Sequence, residues 1–333
     1  MSTGESISEF LREHWRTMPL LATPSDIRGR VFIVTGSNNG IGFETAKHLV
    51  RLEASKVIIA VRNLTAGEEA RSKIENDTHK QGVAEVWKLD LSSYDSVKSF
   101  AARAVDELER IDGVIENASI ALDKFSRAEG METSITVNVF STLLLAVLLL
   151  PKMSETAKKH STAPYLVMVT SGLGFHRKQN LEDIKHDIWG GLNDGNSEMD
   201  SRYGLSKLLQ IYAWRELALL APVSRTGVVI NMISPGLCKT GLLRHARLVT
   251  YVTVSSMTAI LGRTAEEGSR TVIHALIAGK ESHGHYLSDC KIKDHYVPDW
   301  VQDSEGQAMQ KRLWVGVVDK LDEIERGCLQ DIS

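Results

Sequence analysis

Tyr203 and Lys207 stand four residues apart in Tyr203-Gly204-Leu205-Ser206-Lys207. On a helix that spacing puts both side chains on one face, a turn apart. A phenol with an unperturbed pKa near 10 is a poor base at neutral pH, and a nearby ammonium favours its phenolate. The pair therefore suits proton exchange with a substrate oxygen. Upstream, Val167-Met168-Val169-Thr170 reads as a strand that runs into Ser171, a hydroxyl suited to holding a carbonyl oxygen. Asn138 is the lone amide in the apolar run 137–150, and a buried amide needs partners. Each of these residues taken singly is also what an ordinary structural side chain looks like. Their weight comes from the elements around them.

Short β-branched runs at 31–35, 56–61, 85–89, 113–115, 165–170 and 227–232 alternate with helical patterns near 41–53, 65–79, 93–109, 131–150 and 203–220. Strands apolar throughout and separated by helices imply a parallel sheet covered on both faces, a doubly wound α/β fold of Rossmann type. In such folds ligands bind at the carboxyl edge of the strands. That edge is where the first strand meets Thr35-Gly36-Ser37-Asn38-Asn39-Gly40-Ile41-Gly42, directly before a helix. Glycines permit the sharp turn and a close backbone approach, and the helix N-terminus offers free N–H donors to a pyrophosphate. An acidic residue that grips an NAD ribose is expected about 20 residues later. Arg62 occupies that place, where it can pair with a 2′-phosphate, so NADPH is expected over NADH.

Composition narrows the class. The chain has 333 residues, 43% hydrophobic and 24% charged, enough for a large core. Length alone suggests about two domains. No linker or repeat divides the chain, so the expectation is one catalytic domain over 29–290 with an arm at 1–28 and a helical extension at 291–333. Lys+Arg 39 against Asp+Glu 42 gives a net charge of −3 with no block of like charge, which argues against a nucleic-acid binder. Three scattered cysteines point to a reducing compartment, and the N-terminus lacks a secretory pattern, so a cytoplasmic protein is expected. Ile7, Phe10, Leu11, Trp15 and Met18 suggest a short helix packed on the body. The run 137–150, stopped by Pro151, is short for a bilayer and reads as a buried helix. Met309, Leu313, Val317, Leu321 and Ile324 form a second helical stripe. His283 and His285 read as two residues on one face of the last strand, and no metal site is expected.

Asn138, Ser171, Tyr203 and Lys207, in that order and behind the pattern TGxxxGIG, resemble the tetrad of the short-chain dehydrogenase/reductase family. The resemblance covers about 28–290. It includes Asp90 and Leu91 after the third strand, and Glu116-Asn117-Ala118-Ser119 where the family usually has NNAG. It also includes Pro235-Gly236 followed by Thr240. It implies that Tyr203 is the general acid or base, that Lys207 lowers its pKa and holds the nicotinamide ribose, and that Ser171 binds the substrate oxygen. Asn138 would order a water linked to Lys207. Asp90 and Leu91 would meet the adenine, Asn117 and Ala118 would border the cofactor, and Pro235, Gly236 and Thr240 would face the nicotinamide. Glu116 and Ser119 depart from the pattern, and Ser119 adds a Cβ where glycine is usual.

The polar stretch 172–202 between Ser171 and Tyr203 resembles the retinol-dehydrogenase-like branch and fungal reductases of secondary metabolism. Apolar residues over 237–261 suggest a hydrophobic substrate wall, hence a bulky ketone, aldehyde or alcohol such as a polyketide, terpenoid, steroid or retinoid. The alternative is a family member that performs a non-redox step: a cyclase, dehydratase or isomerase. By resemblance, the helices at 137–150 and 203–220 form a homodimer or homotetramer contact, unless the terminal segments cover them.

Overall fold

The computed structural model describes residues 17–196, 199–239 and 262–330. Strands β1 (Val31–Thr35), β2 (Lys56–Val61), β3 (Ala84–Lys88) and β4 (Gly113–Glu116) alternate with helices α1 (Gly40–Arg51), α2 (Leu64–Thr78) and α3 (Tyr94–Glu107). A two-stranded hairpin, β5 (Arg127–Ala128) and β6 (Met131–Glu132), precedes α4 (Thr142–His160) and β7 (Tyr165–Val169). Then come α5 (Arg202–Leu220), β8 (Val229–Ser234), α6 (Ala265–Ala275), β9 (Tyr286–Ser288), β10 (Lys291–Ile292) and α7 (Ser304–Ile324). The main sheet runs β10-β9-β8-β7-β4-β1-β2-β3, parallel except for β10. The chain order reverses between β1 and β4, and that switch point opens a crevice at the carboxyl edge.

The strand runs are apolar throughout because both faces are covered. Ile33, Ile58, Val114 and Met168 face one core with α3, α4 and α5, whereas Phe32, Val34, Val57 and Ile115 face the other with α1 and α6. Side-chain oxygens cap most of the helices that follow the strands. Asn63 Oδ1 accepts from Ala66 N at 3.1 Å, Ser93 Oγ from Ser96 N at 3.3 Å, and Thr264 Oγ1 from Glu267 N at 3.1 Å. Helix α1 lacks such a cap: the Asn39 side chain makes no capping bond, and no acidic residue lies in the first turn. Its leading amides remain available.

Several expectations change in detail. Pro151 does not end the apolar helix, which continues to His160 because Met153, Thr156 and Ala157 prolong its buried stripe. With its leading turns the helix spans Thr133–His160, long and apolar enough to cross a membrane, yet 89% of its most apolar window is buried inside the protein. Strand β8 starts later than expected because Gly227, at φ 73°, first closes the helical turn Val223–Thr226. His283 and His285 precede β9 instead of lying within it. The His283 ring accepts from Ile230 N and meets Ala218 O at 2.9 Å, and Gly284 turns the chain at φ 76°. The stretch 172–202 folds into short helical turns around buried Leu181, Ile188 and Leu192.

The tail stripe forms α7, with Leu313, Val317 and Leu321 fully buried. It lies on α5, where Gln310 accepts from Arg215 Nε at 3.1 Å and donates to Glu216 Oε1 at 2.8 Å. Arg312 donates to Lys185 O, which ties α7 to the 172–202 stretch as well. Of the N-terminal arm only residues from 17 on are described. Met18 is buried there, and its carbonyl accepts from Arg270. Ile7, Phe10, Leu11 and Trp15 lie outside the described residues.

Candidate active site

The turn after β1 is built on close contact with the end of β4. Asn117 Nδ2 donates to Thr35 O at 2.8 Å and to Gly36 O at 3.3 Å. Thr35 Oγ1 accepts from Asn117 N at 3.0 Å and from Ala118 N at 2.9 Å. There is no room for extra atoms. A Cβ on Gly42 would stand 2.5 Å from Asn117 Nδ2 and 2.7 Å from Gly36 O, and Gly36 itself sits at φ 64°. Ser37 is buried, with Oγ donating to Val34 O at 2.7 Å. Asn38, Asn39, Gly40 and Ile41 lead into the uncapped end of α1. This cradle, with its free amides, fits a dinucleotide pyrophosphate.

Arg62 lies one residue past β2, exposed and without an ion pair among the described residues. Lys88 Nζ donates to the Arg62 carbonyl at 2.6 Å, which brings a second cation to that strand end. Asp90 accepts from Ser92 N at 3.0 Å and from Ser92 Oγ at 2.6 Å, and its neighbour Leu91 is buried. Glu116, at the end of β4, is buried beside Thr35, whose Oγ1 lies 3.4 Å from Oε2; Oε1 has no partner among the described residues. Burial pushes this carboxyl up to about 8, with Thr35 working against the rise.

Helix α5 carries Tyr203 and Lys207 on one face, with the Lys207 Nζ 5.6 Å from the Tyr203 ring centre. Lys207 is buried, and its ammonium donates to Val169 O at 3.0 Å, at the end of β7. Burial pushes that ammonium down to about 7. Burial also raises the Tyr203 phenol above its ordinary value, while a hydrogen bond with the Ser119 side chain opposes the rise. Ser171, two residues past β7, accepts from Leu173 N at 3.2 Å and starts a short 3₁₀ turn. The two remaining Lys207 protons have no protein acceptor among the described residues. A sugar hydroxyl pair is a suitable taker.

Asn138 sits in a π-helical turn, Thr136–Ser141, at the head of α4. Such turns place a residue off the regular helical register and recur at functional sites. Its side chain grips the Ile120 backbone at two points, accepting from Ile120 N and donating to Ile120 O, both at 2.9 Å. Nδ2 also lies 3.0 Å from Ser206 Oγ, and the Asn138 carbonyl accepts from Gln210 Nε2. The amide is thus committed to protein partners, one of them Ser206, the chain neighbour of Lys207.

Pro235 and Gly236 follow β8, with Gly236 at φ 76°. Pro235 O accepts from Arg263 Nη1 at 3.4 Å. Arg263 pairs with Asp289 at 2.6 Å, and Lys293 reaches the same carboxylate at 2.9 Å, all three buried. Burial works to raise the Asp289 carboxyl, yet the two cations hold it below its ordinary value. Backbone hydrogen bonds between 237–239 and Arg263 close this base. Thr240 and, of the apolar wall expected over 237–261, residues 240–261 lie outside the described residues. Sequence reasoning missed Thr35 Oγ1, Gln210 and the Arg263–Asp289–Lys293 cluster. Only Thr35 left a signal, through its place at the head of the glycine turn.

This arrangement has known relatives. A family model described as short chain dehydrogenase matches residues 30–181. The short chain dehydrogenase/reductase dmxR8 of Cryptosporiopsis sp. is 42% identical over 304 residues, spanning 90% of this chain and 92% of its own. The chain belongs to the short-chain dehydrogenase/reductase family. A second relative within that family, the short chain dehydrogenase atnD of Emericella nidulans, is 43% identical over 288 residues, covering 85% of this chain and 90% of its own. Among solved structures, the NADP active-site complex of Pseudomonas aeruginosa RhlG shares the fold at a TM-score of 0.60 and 21% identity. It covers 80% of this chain and 97% of that one. Against the family's usual pattern, Glu116 and Ser119 are two departures, one at the end of β4 and one three residues past it.

Proposed function

We propose that the protein is an NADPH-dependent oxidoreductase that interconverts a ketone or aldehyde and an alcohol on a bulky hydrophobic substrate, in a pathway of secondary metabolism. The observation that carries this reading is the Tyr203–Lys207 pair at the switch-point edge, with Lys207 anchored on Val169 O and Ser171 leaving the same strand end. Bound NADP(H) supplies or accepts the hydride at its nicotinamide. The protein's residues do the rest. The cradle of Gly36, Gly40 and Gly42 with the free amides of α1 takes the pyrophosphate, and Asp90, Leu91, Asn117 and Ala118 border the nucleoside. Arg62, with Lys88 near, takes the 2′-phosphate, and Pro235 and Gly236 back the nicotinamide.

Tyr203 gives its phenolic proton to the substrate oxygen during reduction and takes it back during oxidation. Ser171 donates a hydrogen bond to that oxygen as negative charge develops. Lys207, close to its phenol, stabilises the phenolate and is itself poised to exchange protons near neutrality. Asn138 fixes the floor of the site through Ile120 and Ser206. In relatives of this family the faces of α4 and α5 commonly form the subunit contact. Here α7 lies on α5, which favours a monomer over the homodimer or homotetramer that the resemblance implies.

The cofactor assignment is tested by steady-state kinetics with apolar ketones. The expected result is a kcat/KM at least tenfold higher with NADPH than with NADH, with Arg62→Ala narrowing the gap. Equal or better use of NADH by the unaltered protein contradicts it. Substrate conversion that consumes neither cofactor favours a non-redox reaction on the same fold.

A further inference from the structure

The loop that leaves β8 bends at Gly236, φ 76°, a joint without the stiffness a Cβ would give. What holds this loop must therefore lie outside it. On one side it is seated against α6. Cys238 Sγ lies 3.4 Å from Pro235 O, and a Cβ on Gly268 would stand 2.5 Å from that sulfur. On the other side Arg263 grips it by backbone and side chain together. Arg263 N donates to Leu237 O and Lys239 N donates to Arg263 O, both at 2.9 Å, while Arg263 Nη1 donates to Pro235 O at 3.4 Å.

The direction of that guanidinium is set by Asp289. The same nitrogen, Nη1, stands 2.6 Å from Asp289 Oδ1. The other carboxylate oxygen accepts from Lys293 Nζ at 2.9 Å and from Ser288 Oγ at 3.1 Å, so the carboxylate is held at both ends. Arg263, Asp289 and Lys293 are all more than nine-tenths buried. The backbone under the carboxylate is constrained as well. Ser288 pairs with Lys291, which leaves Asp289 and Cys290 as a two-residue turn between β9 and β10, at φ 52° and 55°. Glycine is usual at the second place of such a turn, and Cys290 carries a Cβ there in the left-handed region. Strain of this kind persists where the surroundings over-determine it.

We infer that Asp289 is a positioning residue for hydride transfer: acting through Arg263, its carboxylate fixes the Pro235 carbonyl and so the surface against which the nicotinamide lies. The inference rests on the redox reading above, in which Pro235 and Gly236 back that ring. Exchanging a whole buried ion cluster for apolar residues often costs no stability, so the use of this one is the direction it imposes. Hydride transfer depends on how the donor and acceptor carbons meet, and a misplacement of about 1 Å costs on the order of 10²-fold. A loop released at Gly236 lets the ring rock without leaving its site. The loss then falls on the transfer step. The pyrophosphate cradle, in the other half of the crevice, stays as it is.

The test compares two variants of the full chain, either of which serves if the other fails to fold. Asp289→Asn keeps the side chain's shape and removes its charge. Arg263→Lys keeps a cation near Asp289 on a shorter side chain without the planar fork. Three quantities are read well below the melting temperature: the NADPH dissociation constant, the fluorescence lifetime of the bound nicotinamide, and the single-turnover rate with saturating apolar ketone. In both variants the lifetime is expected to depart from that of the unaltered protein, and the rate to fall about 10- to 10²-fold. The dissociation constant is expected to stay within about threefold, since the cradle that binds the pyrophosphate is untouched. Asp112→Asn is the control for loosening alone. It weakens another buried carboxylate paired at 2.6 Å, with Arg110, just before β4 and away from the crevice. It is expected to melt earlier and leave lifetime and rate in place. An unchanged lifetime, or a rate within about twofold of the unaltered protein, in a folded variant at Asp289 or Arg263 overturns the inference. Equal changes in Asp112→Asn also overturn it. Failure of the redox reading is separate: the unaltered protein then oxidises no NADPH, while the lifetime still reports whether Asp289 and Arg263 set the ring's seat.

Discussion

The two halves of the crevice achieve rigidity by opposite means. On the β1–β4 side the walls are backbone and small residues: Gly36, Gly42 and Asn117 approach so closely that a single Cβ collides with a neighbour. On the β7–β9 side the walls are long side chains buried with their charges: Lys207 on Val169 O, and Arg263 with Lys293 around Asp289. The first half has no spare volume, and the second holds its charges on buried side chains. A pyrophosphate is always the same shape, so a tight backbone cradle suits it. The chemistry beside the nicotinamide needs protons moved and charges held, which only titratable side chains can do.

That contrast can be broken in order of effect. Tyr203→Phe removes only the proton donor, and on the order of 10²- to 10⁴-fold loss in kcat is expected. NADPH affinity, measured by fluorescence, stays close to that of the unaltered protein. A kcat within a factor of two removes Tyr203 from the chemistry. Arg263→Met leaves the Asp289 carboxylate buried with one cation fewer, and a loss of about 3–5 kcal/mol in denaturant unfolding is expected. A loss below 1 kcal/mol shows that the cluster is not what secures this half.

Glu116→Gln probes an ionisable group buried in the backbone-walled half, at the end of β4. Its folded pKa, about 8, lies above the ordinary value of 4.5, so the folded protein holds the proton more tightly than the unfolded chain. Stability is therefore full below about 4.5 and declines as pH rises through 8. The variant is expected to lose that decline and to be more stable than the unaltered protein at pH 8 by a few kcal/mol. Parallel melting profiles from pH 5 to 8.5 contradict the buried, protonated carboxyl. Gly42→Ala adds one methyl against Asn117 and Gly36, an overpacking cost of about 1–3 kcal/mol. It is expected to weaken NADPH binding more than it slows the bound enzyme, so a fall in kcat with unchanged affinity contradicts the cradle.

The same contrast explains what could be read from the sequence. Strand runs apolar on both faces and a glycine turn between β1 and α1 are local patterns, and β1 and β2 fall where those patterns put them. The Tyr203–Lys207 spacing is equally local, because a helix alone brings the two together. The Arg263–Asp289–Lys293 cluster brings Arg263 onto a pair of residues that follows it only after a helix and a strand, and no periodicity marks such a meeting. The grip of Asn138 on Ile120 depends on the π-turn, which a run of apolar residues conceals. Pro151 misled because a proline's local preference lost to the buried stripe that continues beyond it.

The central claim is that this crevice carries out a hydride transfer completed by the Tyr203 proton. The most direct measurement follows deuterium from NADPH deuterated at nicotinamide C4 into the product of an apolar ketone, by mass spectrometry and NMR. The account predicts one deuterium on the new carbinol carbon for each NADPH consumed from the transferred face, and on the order of 10² or more loss of labelled product in Tyr203→Phe. Product formed without deuterium and without cofactor consumption would contradict it.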